Sequence, residues 1–222
     1  MIDPKIKSSI AAALQEFSGY AEFDATQLTT QFNDVFALDN DFMTKVEKLD
    51  AVFDNNPQLE VLREVFFDLL MINFFSADVK KLEEDYLDSP EWEQIEEETL
   101  DRGTELLNVL LYLNECEDEH IEPELDDYLK EFLLVDEDEF QDEYRIYEPV
   151  IANQILMESP VEEIKKVAEQ LPEDSELKEL FYPVMCFFQN TDPSAEAKAK
   201  IADNAVNKEF DMAVLGILQA FN

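Results

Sequence analysis

Apolar residues recur along the chain at spacings of three and four, the period that lines one face of an α-helix, and no stretch alternates at period two. Three segments are apolar nearly all round: 65–75 (VFFDLLMINFF), 106–113 (LLNVLLYL) and 180–188 (LFYPVMCFF). A helix apolar on every side belongs at the centre of a bundle, sheathed by amphipathic ones. Phe66, Leu69, Leu110, Leu111 and Phe187 are therefore expected in the core, and a further stripe at core spacing runs Trp92, Ile95, Thr99, Leu106, Leu110, Leu113.

Helix starts are marked by a capping residue before proline: Asp3-Pro4, Asn56-Pro57, Ser89-Pro90, Ser159-Pro160 and Asp192-Pro193. The cap accepts a backbone N–H, and proline at the first helical position gives up a donor that had no partner. Ser159 with Glu162 has capping-box spacing. Softer starts fall near Asp24, Asn40, Pro123, Asp136, Asp174 and Asn207, while Pro149 and Pro183 should break or kink their helices just upstream. The pattern predicts an all-α fold, a multi-helix bundle or irregular stack of helical hairpins with about eight to eleven helices. A single domain spans residues 1–222, with soft boundaries near 88 and 159. Val46, Leu49, Phe53, Leu59, Leu62, Phe66 and Leu69 are echoed by Ile164, Val167, Leu171, Leu177, Leu180, Val184 and Phe187, each set reading as helix, turn, helix.

Composition narrows the chemistry. The 222 residues carry 54 acidic and 16 basic side chains, a net charge of −38, yet 46% are apolar, so the chain should fold. Residues 83–148 hold 27 Asp/Glu against Arg102, Lys130 and Arg145, which concentrates most of the net charge there. Such a field repels phosphates, arguing against direct nucleic-acid binding or an anionic membrane surface, and complements a basic protein partner. Salt adaptation is the other reading of the charge. With only Cys116 and Cys186, no CxxC and no apolar run long enough to span a bilayer, a cytoplasmic setting is expected.

Within ECEDEHIE (115–122), Glu117 and His120 form Glu-x-x-His, the pair that carboxylate-bridged metal sites place on one helix face, but such sites need two pairs and the chain has one histidine. A solvated helix end is the favoured reading; a metal-binding protein or hydrolase using Glu117 and His120 is the alternative. The acidic run from Asp136 lacks the glycine and closing glutamate of a calcium loop. Neither cysteine has a cationic neighbour to activate it. No catalytic group and no cofactor is assigned. The reading is a non-enzymatic adaptor, inhibitor or nucleic-acid mimic that binds a basic protein through Glu93, Glu96, Glu97, Asp126, Asp127, Asp138 and Glu139, with Tyr144 and Tyr147 as an aromatic edge.

Overall fold

Capping chemistry starts most of the helices, though not always at the expected residue. In the computed structural model, which describes residues 2–21, 24–77, 86, 88–133 and 146–222, Pro4 opens α1 (Pro4–Ala21) with Asp3 accepting the Lys5 N–H. Asp24 accepts the Thr26 N–H at the start of α2 (Thr26–Phe36), and Asp41 accepts the Thr44 N–H in α3 (Phe42–Asp54). Asn56 does not cap. Its amide donates back to the Val52 carbonyl, and Pro57 begins a 3-10 turn (Pro57–Leu62) that leads into α4 (Arg63–Ala77). Ser89 caps α5 (Pro90–Thr99) as expected, accepting the Trp92 N–H.

The middle of the chain continues with α6 (Leu106–Glu119), the single turn α7 (Leu125–Asp127) running into a π-helical turn (Tyr128–Phe132), α8 (Glu148–Ile151) and a 3-10 turn (Gln154–Glu158). The last four helices are α9 (Val161–Gln170), α10 (Phe181–Gln189), α11 (Ala195–Asn204) and α12 (Lys208–Phe221). The Ser159 capping box does not form: the Ser159 hydroxyl donates to the Ile155 carbonyl, and Glu162 pairs with Lys200 instead. At α11 the cap is Ser194, two residues beyond Asp192. Pro149 and Pro183 both lie in a first helical turn, where the missing N–H has no acceptor to lose.

The described residues hold twelve α-helices and no strand, one helix more than the pattern predicts. Two of the twelve, α7 and α8, are single turns too short to leave a period of 3.6, and either one accounts for the excess. Buried side chains join into one cluster running from Ile6 to Phe221. At its centre are α4, buried without interruption from Val65 to Asn73, α10, buried from Phe181 to Phe188, and α12, buried from Phe210 to Leu218. The central place expected for 106–113 belongs to α12. In α6, Leu107, Asn108 and Leu111 are only partly covered, so Leu111 lies at the edge of the core rather than inside it.

Small residues let α12 approach α1 closely. The Ser9 hydroxyl reaches the Ile217 carbonyl at 3.4 Å, and a Cβ on Gly216 would stand 3.1 Å from the Glu16 side chain and 3.4 Å from the Ala12 carbonyl oxygen. The echoed segments share an element order: α3, the 57–62 turn and α4 correspond to α9, the turns of 173–180 and α10, and twelve of the fourteen matched side chains are buried, Val167 and Leu171 being half-buried.

Asp211 fastens the start of α12. Its carboxylate, 2% exposed, accepts the N–H groups of Val206 at 2.7 Å and Asn207 at 3.0 Å. Burial pushes the carboxyl up to about 7 against those two donors, with the charge of Glu179 adding to the rise and Lys165 opposing it. The unfolded chain releases this proton near pH 4. Between there and about pH 7 the folded chain keeps it, so the group stabilises the fold at low pH and that contribution is lost as pH rises through about 7. Asp211→Asn, which imitates the protonated acid, should gain stability relative to the parent by at most about 1.4 kcal/mol per pH unit over that interval. Urea midpoints measured at each pH check this; an unchanging difference would show that the carboxyl does not titrate there.

Candidate functional site: an apolar groove with an acidic rim

Three elements build an open apolar groove. From α5, Trp92, Ile95 and Thr99 turn inward at helical spacing; Ile95 and Thr99 are buried, and Trp92 is half-buried, its ring 5.4 Å from Phe75. Phe67, Met71 and Phe75 come from α4, and Leu107 and Leu111 from the half-covered side of α6. Together they line an open hollow of about 680 Å³. Leu100, 83% exposed, stands on its lip. The expected stripe from Trp92 to Leu113 is thus split between two helices, with α5 and α6 forming two walls of the groove.

Glu93, Glu96, Glu97 and Leu100 recur at three and four along the flank of α5 beside its inward face, and Glu96 and Glu97 line the groove directly. All three glutamates are exposed, and among the described residues none of them makes an ion pair. The basic residue nearest in the chain, Arg102, is already engaged. Its guanidinium bonds to Glu64 at 2.9 Å and to Asp50 at 3.0 Å, and lies over the Phe67 ring. Arg63 shares Asp50 and also holds Asp54 and Glu60.

The loop joining α5 to α6 is clamped to α4. The Gly103 N–H donates to Glu64 at 2.8 Å, and Thr104 donates its N–H at 3.0 Å and its hydroxyl at 2.5 Å to Asp68. Asp68 is fully buried, which pushes its carboxyl well above the usual range despite these donors. Gly103 has φ +85°, and a Cβ there would lie 2.7 Å from Asp68 Oδ1. Gly103→Ala should cost about 2 kcal/mol from the left-handed backbone alone, with displacement of the clamp in addition. A thermal midpoint within a degree of the parent's would show that the loop does not need this conformation.

Tyr147 is not part of a surface edge. It is 5% exposed, and its hydroxyl lies 2.9 Å from that of Tyr128 and donates to Glu105, so the ring helps to hold α6 against the 128–132 turn. Spacing alone gave no sign that its hydroxyl had buried partners waiting. Asp126 is exposed and pairs with Lys130, and Asp127 is half-buried; neither lines the groove. Asp138, Glu139 and Tyr144, with the acidic run from Asp136, lie outside the described residues.

The ECEDEHIE stretch ends α6. His120 takes the left-handed conformation, φ 59°, and its N–H donates to the Glu117 carbonyl while the Ile121 N–H donates to Cys116, the paired bonds of a Schellman closure. Glu117 forms an ion pair with Lys5 at 2.6 Å. Among the described residues no group of three or more His, Cys, Asp or Glu is placed to hold a metal ion. Both cysteines are free and buried; burial raises the Cys116 thiol and pushes that of Cys186 up to about 12.

Met71, Phe75, Leu107 and Leu111 carry no functional signal in the sequence because each reads as core. The one legible signal was Leu100, an apolar residue followed directly by Asp101, Arg102 and Gly103 at a helix end. Fold and site define an all-helical, acidic protein with an open apolar groove. No family model, no curated protein and no solved structure matches the chain. Among the described residues no helix is long and apolar enough to cross a membrane.

Proposed function

We propose that the chain is a non-enzymatic cytosolic protein that captures a basic protein partner through α5 and the groove beside it, as an adaptor or inhibitor. The observation that carries this reading is the coincidence of exposed Glu93, Glu96 and Glu97, without an ion pair among the described residues, with the apolar surface of Trp92, Met71 and Leu111. Interfaces draw specificity from buried aromatic and aliphatic anchors, and speed of encounter from charge around them. The apolar floor favours a polypeptide ligand over simple imitation of nucleic-acid phosphates, because a surface evolved for phosphates has little use for it.

The test is capture of native cytosolic protein on the immobilised chain and on the triple variant Glu93→Gln, Glu96→Gln, Glu97→Gln, at about 50 and 200 mM salt. A basic protein retained by the parent, lost at the higher salt and lost on the variant, supports the reading, since screening acts over about a Debye length. Retention indifferent to both charge and salt would dismiss it.

A further inference from the structure

The groove beside Trp92 does not stop at Arg102. Leu100 and Arg102 also line a second hollow, of about 430 Å³, over residues 100–105, and Glu176 is shared between that hollow and a third of about 610 Å³. The third is floored by Ile146, Pro149, Leu171 and Pro172. Neighbouring hollows share lining residues and together trace one furrowed course, with apolar side chains flooring both ends and polar groups in the middle. Exposed carboxylates follow it throughout: Glu96 and Glu97 at the first end, Asp101 in the middle, Asp174 and Glu176 at the other. None of the five makes an ion pair among the described residues.

Among the described residues, the cations nearby are already engaged. Arg102 is held by Asp50 and Glu64, and the Lys178 ammonium donates to the Leu171 carbonyl at 2.6 Å and faces Glu173 at 3.4 Å. The furrow therefore presents a line of negative charge over a floor that is apolar only at its ends.

We infer that this furrow receives one linear, basic segment of a partner polypeptide, carrying an apolar anchor at each end and Lys or Arg between them. The inference rests on the proposed capture of a basic partner and adds the shape of the ligand and the order of its residues. The anchors gain by leaving water at Trp92 and at Leu171, and the intervening cations meet carboxylates that make no ion pair among the described residues. Nucleic acid and anionic membrane are repelled, and a second copy brings a net −38. Of the chain's own segments, residues 134–145 set six carboxylates against Arg145, and residues 78–85 set four carboxylates against Lys80 and Lys81.

Trp92 is the only tryptophan, so its emission reports on one end of the furrow. The probes are three synthetic peptides of equal length and lysine content, ending in leucine pairs at both ends, at one end, or in serines at both ends. The doubly anchored peptide should move Trp92 emission to shorter wavelength and bind about tenfold or more tightly than the serine-ended one, with the singly anchored peptide between them. Reversing charge at the far end, with Asp174→Lys and Glu176→Lys at exposed positions, should weaken the doubly anchored peptide about tenfold. Leu100→Ser, also exposed, should weaken it at the near end.

Salt-sensitive binding that shifts Trp92 but ignores the leucines and the Asp174 and Glu176 reversals would overturn the continuous furrow and leave the acidic-face reading standing. If no lysine peptide associates even at low salt, or all do so without disturbing Trp92, both readings fall.

Discussion

Leu215→Ala, in the carboxy-terminal helix, is expected to lower the unfolding free energy by about 2–5 kcal/mol, measured by urea denaturation. Leu215 is fully buried in the middle of α12, which packs against α1, α6, α10 and α11. Truncating it removes the transfer free energy of the lost methyls and opens a cavity whose walls are themselves held on every side. The comparison that gives the experiment its force is Leu111→Ala. Leu111 lies half-covered on the groove wall of α6, where solvent can fill the space left behind, so its truncation should cost about 1 kcal/mol. Equal losses at the two positions would mean that α6 is as central as α12.

Neutralising Glu93, Glu96 and Glu97 to Gln is expected to slow association with the captured partner by about tenfold or more, within the range over which focused surface charge changes encounter rates. The three sit on one face of a capped helix beside an apolar groove, so their fields add at a fixed place instead of averaging over a mobile tail. Dissociation should change less, because anchors seated on Trp92 and Met71 are untouched. Asp126→Asn with Asp127→Asn supplies the contrast. Those carboxylates do not line the groove, and Asp126 already faces Lys130, so their loss should alter the rate by about twofold at most. Stopped-flow measurement of Trp92 emission separates the two sets; equal effects would show that only the overall charge of the chain matters. Gln in place of Glu keeps helix propensity, so circular dichroism of the triple variant should match the parent.

The absence of strand among the described residues follows directly from periodicity and from prolines placed where helices begin. Local rules act over one turn, and so Ser89 could be read as a cap from its neighbours alone. The same rule misplaced Ser159, because whether a hydroxyl faces the next turn or the previous carbonyl depends on how the incoming chain is oriented, which the 3-10 turn before it decides. Charge was equally legible: that α5 is a run of glutamates without a basic residue is a fact of sequence, and it pointed to the rim of the groove.

Which apolar helix is central was beyond sequence. The 106–113 segment is as apolar as 180–188, yet it lies under less of the molecule. The 208–221 segment begins with Lys208, Glu209 and Asp211, and it is buried because the small residues of α1 let the two termini of the chain meet. Tyr147 and Arg102 make the same point for polar groups. Each reads as a surface residue among carboxylates, and each is committed elsewhere, Tyr147 to Glu105 and Tyr128, Arg102 to Asp50 and Glu64, by contacts 19 to 52 positions apart. Sequence by itself determined the helices, the sign of the field and the residues able to cap, all properties of adjacent side chains. Tertiary structure decided which apolar faces were covered and which carboxylates stayed unpaired, because both depend on what distant segments bring alongside, and the groove is what remained uncovered.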